Sequence, residues 1–208
     1  MKKENISEVV GIFVALGGLT VMTGWIFGIE VLKSILPVWV SMKFSTALSF
    51  SLSGILLYFV ARFRKKDREW AIVVLPVLSM TVFLFMGSLL ASTVAGTSVG
   101  VEELFVRDSM TADGNVTPGR PSIVTMLNFI LTGMIGILTI MNFERWDRTQ
   151  EIFGLIFVMT GSIATLGYIG NWPVLYFMVP GICSAMGLHT AILFGFLGAG
   201  FLLTKGRK

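Results

Sequence analysis

The sequence is poor in the residues that build catalytic and metal sites. It contains one cysteine and one histidine, Cys183 and His189, and only 13% of its residues are charged. A single cysteine excludes a disulfide within the chain, and one histidine excludes the usual zinc-ligand sets. We therefore expect no metal site and no enzymatic activity.

Long apolar runs account for most of the chain. Apolar residues make up 54% of it and the mean hydropathy is +0.83, which lies outside the usage of soluble proteins. Six runs could each cross the roughly 30 Å of a bilayer core. These runs are continuous rather than alternating, which favours helices over a barrel. The sequence predicts an all-α integral membrane protein with six transmembrane helices, at about 8–29, 46–63, 71–94, 122–142, 151–171 and 188–204.

The distribution of basic residues predicts the orientation. In a six-pass arrangement all but four of the 16 Lys and Arg residues lie on one side, the exceptions being Lys33, Lys43, Arg107 and Arg120. Cytoplasmic loops are enriched in Lys and Arg, so both termini should be cytoplasmic. The net charge of +4 then reflects topology, and we expect no nucleic-acid partner.

One pattern occurs three times. It places Thr, Phe and Gly four residues apart at the start of each even-numbered run, with proline upstream at Pro37, Pro118, Pro121 or Pro180. Its members are Thr46, Phe50 and Gly54; Thr125, Phe129 and Gly133; and Thr190, Phe194 and Gly198. The three positions share one helix face, and small residues there allow close helix packing in lipid.

The repeat predicts the overall architecture. We expect a single membrane domain, residues 1–208, of three tandem two-helix repeats at about 8–63, 71–142 and 151–204, arranged with a pseudo-threefold axis. Loop one (29–44), loop two (95–122) and loop three (171–187) should all lie at one end of it. Loop one is amphipathic and loop three is almost uncharged, and both should lie in the membrane interface and fold back over the bundle.

Three stretches carry a family resemblance. They read LPVWVSMKFSTALSFSLSGILL at 36–57, PGRPSIVTMLNFILTG at 118–133 and MGLHTAILFGFLGAGFLL at 186–203, with GVEELFVRDSM at 100–110 between the first two. The chain resembles the N-terminal multi-pass membrane module that precedes PAS, histidine-kinase or diguanylate-cyclase domains in bacterial sensor proteins. The resemblance implies a sensory module in the bacterial cytoplasmic membrane.

The chain departs from that family at two places. The family's Pro-Asn before Thr-Ala is replaced by Phe44-Ser45 in the first copy and by Ile123-Val124 in the second. Asn128 is the candidate substitute for the missing asparagine. No output domain follows in the sequence, so we expect the module to act through partner proteins.

A ligand site is expected between the loops and the bundle. His189 begins the last run beside Thr190, and its commoner role would be a polar interfacial residue bonded to a loop carbonyl. The sharper hypothesis is contact with a quinone-like or lipid-like ligand, lined also by Trp39, Met42, Met186 and Asn128. Axial haem ligation by His189 with Met42 or Met186 is chemically conceivable, but we do not expect haem.

These observations leave more than one function open. The favoured hypothesis is a non-enzymatic sensory or ligand-binding module in contact with the lipid bilayer and with other membrane proteins or further copies of itself. The alternative is an accessory structural subunit of a larger membrane complex. Transport is less favoured, because the runs contain almost no charged residue that could bind a solute at the bilayer midplane.

Overall fold

The computed structural model describes residues 3–36, 39–97, 100, 119–141, 146–176 and 185–204. Cys183, Pro37, Pro118 and Pro180 lie outside these ranges, as does most of loop two. The described residues form helices joined by turns and contain no strand. The prediction of an all-α protein is confirmed for this part of the chain.

The described ranges contain six long or medium helices and two short elements. The helices are α1 (Lys3–Phe27), α2 (Glu30–Lys33), α3 (Phe44–Arg64), α4 (Ala71–Val94), α5 (Ile123–Met141), α6 (Trp146–Gly170) and α7 (Leu188–Leu203), with a 3₁₀ turn at Pro173–Tyr176. Five of them, α1, α3, α4, α5 and α6, are long and apolar enough to cross a membrane. These five helices are consistent with a helical membrane protein.

The helix α7 is shorter than the other five. It has 16 residues, most of them apolar, which at 1.5 Å per residue extend about 24 Å and fall below the usual length of a spanning helix. Six crossings therefore remain a prediction.

The helices pack as three antiparallel pairs, α1 with α3, α4 with α5, and α6 with α7. Contacts between α3 and α4, between α5 and α6, and between α7 and α1 close the pairs into a ring. The inner helix α3 also contacts α5 and α7, and it is the most buried of the candidate spans. The bundle thus has an inner layer of even-numbered predicted runs and an outer layer facing the surroundings.

Three phenylalanines meet at the centre of the bundle. The Phe50 ring lies 4.8 Å from that of Phe129 and 4.7 Å from that of Phe194, and the last two are 5.0 Å apart. All three side chains are fully buried. Tilted and edge-to-face contacts at such distances are the favoured geometry of aromatic pairs.

Glycines bring the helices of two pairs into backbone contact. A Cβ added at Gly54 would lie 2.5 Å from the Gly11 oxygen, and one added at Gly198 would lie 2.5 Å from the Gly154 oxygen. No side chain fits at either crossing. Close backbone approach of this kind stabilises helix pairs where lipid offers no hydrophobic driving force.

The helices α1, α4 and α6 end in the same way. Each is followed by a residue with positive φ, at Gly28 (68°), Gly96 (62°) and Asn171 (53°). The next backbone N–H bonds a carbonyl five residues back: Ile29 to Gly24, Thr97 to Ser92 and Trp172 to Gly167. This is the Schellman cap, which glycine or asparagine favours because the left-handed conformation strains other residues.

We call the end of the bundle that carries these three Schellman caps the loop end. The opposite end, where α1 begins and α7 finishes, is the terminal end. The start of α1 and the end of α7 meet there, because the Ser7 hydroxyl donates a 3.0 Å hydrogen bond to the Gly200 carbonyl.

Candidate functional site

Loop one is held to the α1–α3 pair by two main-chain anchors. The indole N–H of Trp25 donates to the carbonyl of Met42 at 2.8 Å, and the Met42 N–H donates to the carbonyl of Lys33 at 2.9 Å. The first bond joins the last turn of α1 to the residue just before α3. Loop one is therefore folded back over its own helix pair.

The described parts of loop three, 171–176 and 185–187, are held to the α6–α7 pair by the same two kinds of bond. The Tyr168 hydroxyl donates to the carbonyl of Met186 at 2.9 Å, and the Met186 N–H donates to the carbonyl of Tyr176 at 2.8 Å. Trp25 and Tyr168 each follow the glycine that accepts the Schellman bond. We call these two assemblies cap one (Trp25, Lys33, Met42) and cap three (Tyr168, Tyr176, Met186).

The side chains enclosed by the caps differ in chemistry. In cap one the ammonium of Lys33 lies 4.6 Å from the centre of the Trp25 ring and 2.7 Å from a Glu30 carboxylate oxygen, with the residue 7% exposed. In cap three the Tyr176 ring stacks on Tyr168, with centroids 4.4 Å apart and planes at 21°. Cap one is charged and internally neutralised, whereas cap three is aromatic and uncharged.

Loop one also contacts cap three. The Trp39 ring meets Tyr168 edge-on at 5.4 Å. A Cβ added at Gly187 would lie 2.9 Å from the Val40 oxygen and 3.4 Å from the Met42 nitrogen. The two caps therefore adjoin, and this junction is the candidate site.

Four of the five predicted ligand residues lie at this junction. Trp39 contributes an exposed part of its ring, while Met42 and Met186 are almost fully buried and hold the loops through their main-chain atoms. His189, which begins the first turn of α7 three residues after Met186, is half-buried. The buried methionines act in the described structure as anchors, whereas Trp39 and His189 are only half-buried.

Asn128 occupies a different place. It lies within α5, is buried, and its side-chain amide donates a 2.9 Å hydrogen bond to the Thr160 hydroxyl of α6. In the described structure it joins two helix pairs and is satisfied by a protein partner.

The nine predicted packing residues are all buried. The phenylalanines form the central cluster described above, and Gly133 packs against α4, where an added Cβ would lie 2.8 Å from the Ser79 oxygen. At the start of α5 the Thr125 N–H bonds the Ser122 hydroxyl, which caps this helix.

Several residues of the site were not identified from the sequence. Tyr168 is the central residue of cap three, since it contacts Trp39, Tyr176 and Met186. Lys33 was assigned only to a side of the membrane. The available signal was the shared ending Thr-Gly-Trp at 23–25 and Leu-Gly-Tyr at 166–168, whose aromatic residues prove to be the anchoring donors.

Polar contacts also cross the terminal end. A guanidinium nitrogen of Arg64 lies 2.6 Å from Asp147 and 3.2 Å from the amide oxygen of Gln150, while Lys65 lies 2.8 Å from Glu8. The Gln150 amide in turn donates to the Phe201 carbonyl at 2.8 Å. The end of α3 is thereby linked to α6 and through it to the end of α7.

The chemistry available at the cap junction is non-covalent. Aromatic faces, an imidazole and loop carbonyls can bind a planar or amphipathic molecule by stacking and hydrogen bonding. Within the described ranges, no three His, Cys, Asp or Glu side chains lie close enough together to hold a metal ion.

Comparison of the chain with protein-family models, with curated proteins and with solved structures finds no match.

Proposed function

We propose that this protein is a non-enzymatic sensory or ligand-binding module of a bacterial cytoplasmic membrane that acts through partner proteins. The observation that carries the proposal is the junction of the two caps, where residues distant in sequence, Trp39 and the segment Met186–His189, are brought together by Tyr168. The ligand class we propose is quinone-like or lipid-like, because aromatic rings and one imidazole are the groups on offer.

The route from the loop end to a partner would be the bundle itself. The α6–α7 pair carries cap three at one end and the Arg64–Asp147 contact at the other. A ligand that shifts this pair against α3 would change the terminal end, where a partner protein could respond. We propose coupling of this kind because rigid helices transmit small displacements over their whole length.

We also propose that six helices cross the membrane as three two-helix repeats about a pseudo-threefold axis. The matching Schellman caps, the two matching loop anchors and the mutual contact of Phe50, Phe129 and Phe194 support the proposal. The short α7 would then cross a thinned region or be extended by the residues that flank it.

We propose the orientation of the bundle in the membrane from the distribution of basic residues between its two ends. Basic residues cluster at the terminal end, with five in the segment 62–68 alone. The positive-inside tendency favours the cytoplasm for that end and for both termini. Reporter fusions at residue 208 and within loop two would test this, and an external signal from residue 208 would overturn it.

The ligand proposal is tested by releasing the protein gently from its own membrane. Native mass spectrometry and an absorbance scan of one sample should reveal a retained small molecule. We expect Trp39→Ala and His189→Ala to lose it, because both remove side chains at the cap junction. Trp70→Ala is the matched control, since Trp70 is exposed and belongs to the terminal end.

Two outcomes would overturn the proposal. One is the absence of any retained molecule from the unaltered protein, and the other is equal retention in Trp39→Ala, His189→Ala and Trp70→Ala. Fixed stoichiometry with other polypeptides and no small molecule would support the accessory-subunit alternative instead.

A further inference from the structure

Hydroxyl side chains in these helices usually bond a carbonyl of their own helix. In lipid this satisfies the hydroxyl without a second partner, since it bonds the carbonyl three or four residues earlier. The pattern is seen at Thr20, Thr23, Ser51, Thr81, Ser88, Ser92, Thr93, Thr132, Thr139, Thr160 and Thr165.

Three serines depart from this pattern. The hydroxyls of Ser49, Ser53 and Ser79 have no hydrogen-bond partner among the described residues, and each residue is 0% exposed. A buried hydroxyl left unpaired is destabilising. In the described part of the chain these hydroxyls bond neither their own helix nor a neighbouring one, so they call for another partner.

The three serines belong to one interface. Ser49, Ser53 and Leu56 are spaced by four and three residues, so they share a face of α3. A Cβ added at Gly136 of α5 would come within 3.1 Å of the Leu56 side chain and would collide with the Ser79 hydroxyl of α4. The face of α3 that carries Ser49 and Ser53 thus lies toward the α4–α5 pair, and we call this interface the serine seam.

The other two interfaces between pairs are closed differently. On the proposed repeat, Ser49 corresponds to Asn128 and to Leu193, since each stands three residues after the shared threonine. Asn128 bonds Thr160 across the α5–α6 interface. Leu193 packs on α1, and a Cβ added at Gly17 would lie 2.9 Å from it.

The residues equivalent to Ser53 also differ between the three interfaces. It corresponds to Thr132, which bonds its own helix, and to Leu197, which is fully buried in the apolar core. Of the three interfaces between pairs, only the serine seam has serine, the smallest of the side chains compared, at both equivalent positions. Within the part of the chain that the structure describes, only the serine seam has unpaired hydroxyls at these positions.

We propose that the serine seam binds water, which hydrogen-bonds Ser49 and Ser53 and enters from the loop end. Side chains four residues apart on a helix have Cβ atoms about 5–6 Å apart, so one water molecule can bridge both hydroxyls. A buried water needs two to four polar partners, and the two hydroxyls with nearby helix carbonyls provide them. Ser45, one turn nearer the loop end, bonds the Gly119 carbonyl and marks the polar entrance.

The experiment measures access of silver ion, an impermeant soft cation, to thiols placed in the seam. Ser49→Cys and Ser53→Cys are made in a Cys183→Ser background and assembled in sealed vesicles with the loop end outside. After external silver treatment and SDS unfolding, a maleimide polymer reports thiols that remain free. We expect both variants to lose the gel shift, because water in the seam lets silver reach the thiol.

Leu193→Cys is the matched control, because position 193 has the same depth on the proposed repeat but faces an apolar interface. It should keep its gel shift. Retention of the shift by Ser49→Cys and Ser53→Cys, or its equal loss in Leu193→Cys, would overturn the proposal. A symmetric elution profile in gentle detergent, required of each variant, separates a closed seam from a misfolded protein.

A second variant tests the route of entry. Adding Ser49→Leu to Ser53→Cys places a large apolar side chain between the loop end and the thiol, so the Ser53→Cys thiol should become protected from silver. Continued reaction would contradict entry from the loop end. The readout requires no retained ligand, so it can succeed or fail independently of the proposed ligand site.

Discussion

The α1–α3 and α6–α7 pairs have the same main-chain frame around different side chains. Both have a glycine crossing, a Schellman cap and two loop anchors. Cap one encloses Lys33 against Trp25, whereas cap three encloses Tyr176 against Tyr168. The main-chain arrangement of the two pairs is therefore set by glycines and by hydrogen bonds to main-chain carbonyls. The side chain that each cap encloses can differ in chemistry.

The difference also separates two roles. The Lys33 ammonium is already paired with Glu30 and covered by the Trp25 ring, so cap one satisfies its own charge. Cap three has no charge to satisfy and shares its Tyr168 ring with Trp39 of loop one. This shared ring is the reason why the ligand site proposed above is placed at cap three rather than at cap one.

The largest expected effect falls on the glycine crossings. Gly54→Ala and Gly198→Ala should each destabilise the protein by about 3 kcal/mol, because the added methyl meets backbone that cannot move aside. Gly195→Ala is the control, since no atom lies within 4 Å of its added Cβ, and it should be neutral or stabilising by up to about 1 kcal/mol. Unfolding in mixed micelles by added SDS measures the differences. Unequal losses of stability in Gly54→Ala and Gly198→Ala would show that the two glycine crossings are not equivalent.

The loop anchors come next. Tyr168→Phe removes one buried hydrogen bond and should cost about 1 kcal/mol. Trp25→Phe removes the equivalent bond and also weakens the contact with Lys33, for a total of about 2 kcal/mol. Thermal unfolding followed by circular dichroism measures both. A larger loss for Tyr168→Phe than for Trp25→Phe would contradict the assignment of the extra cation–π term to cap one.

The helix ends differ in residue type and should respond in opposite directions. Gly28→Ala should destabilise by about 1 kcal/mol, because alanine resists the positive φ. Asn171→Gly relieves the same restriction at the end of α6 and should be neutral or slightly stabilising. Hydrogen exchange at the C-terminal ends of α1 and α6 is the suitable measurement, with faster exchange expected only in Gly28→Ala.

The smallest effect is expected where the two caps differ most. Lys33→Tyr gives cap one the residue of cap three, and the change should cost less than about 1 kcal/mol because the Glu30 side chain is 54% exposed and stays solvated without its partner. Lys33→Glu is the unfavourable control, because it places a second carboxylate beside that of Glu30. Loss of folded protein in Lys33→Tyr would show that the frame depends on the enclosed side chain.

The helices were largely predictable from hydropathy, and the differences have local causes. The predicted run at 71–94 coincides with α4, whereas α6 begins at Trp146 rather than at 151. Its first turn contains Asp147 and ends at Gln150, polar residues that lower local hydropathy but are satisfied by contacts with Arg64 and α7. Such long-range partners leave no mark in a hydropathy profile.

The candidate site was less predictable than the fold. Trp39 and His189 were selected as loop-end residues, but the link between Trp39 and the Met186 segment depends on Tyr168, whose ring contacts one and whose hydroxyl bonds the other. The shared Gly-aromatic endings of α1 and α6 mark the two donors, but they do not indicate which distant carbonyl each donor bonds. The sensory role and the family resemblance remain predictions for the experiments above.

The mutual contact of Phe50, Phe129 and Phe194 has a thermodynamic consequence. Each ring touches the other two, so shortening one side chain removes packing support from both neighbours. Losses at contacting residues are not additive, and truncating two of these rings should cost a different amount from the sum of the single changes. Because the rings come from three separate helix pairs, this coupling makes the pairs melt as one cooperative unit rather than one after another.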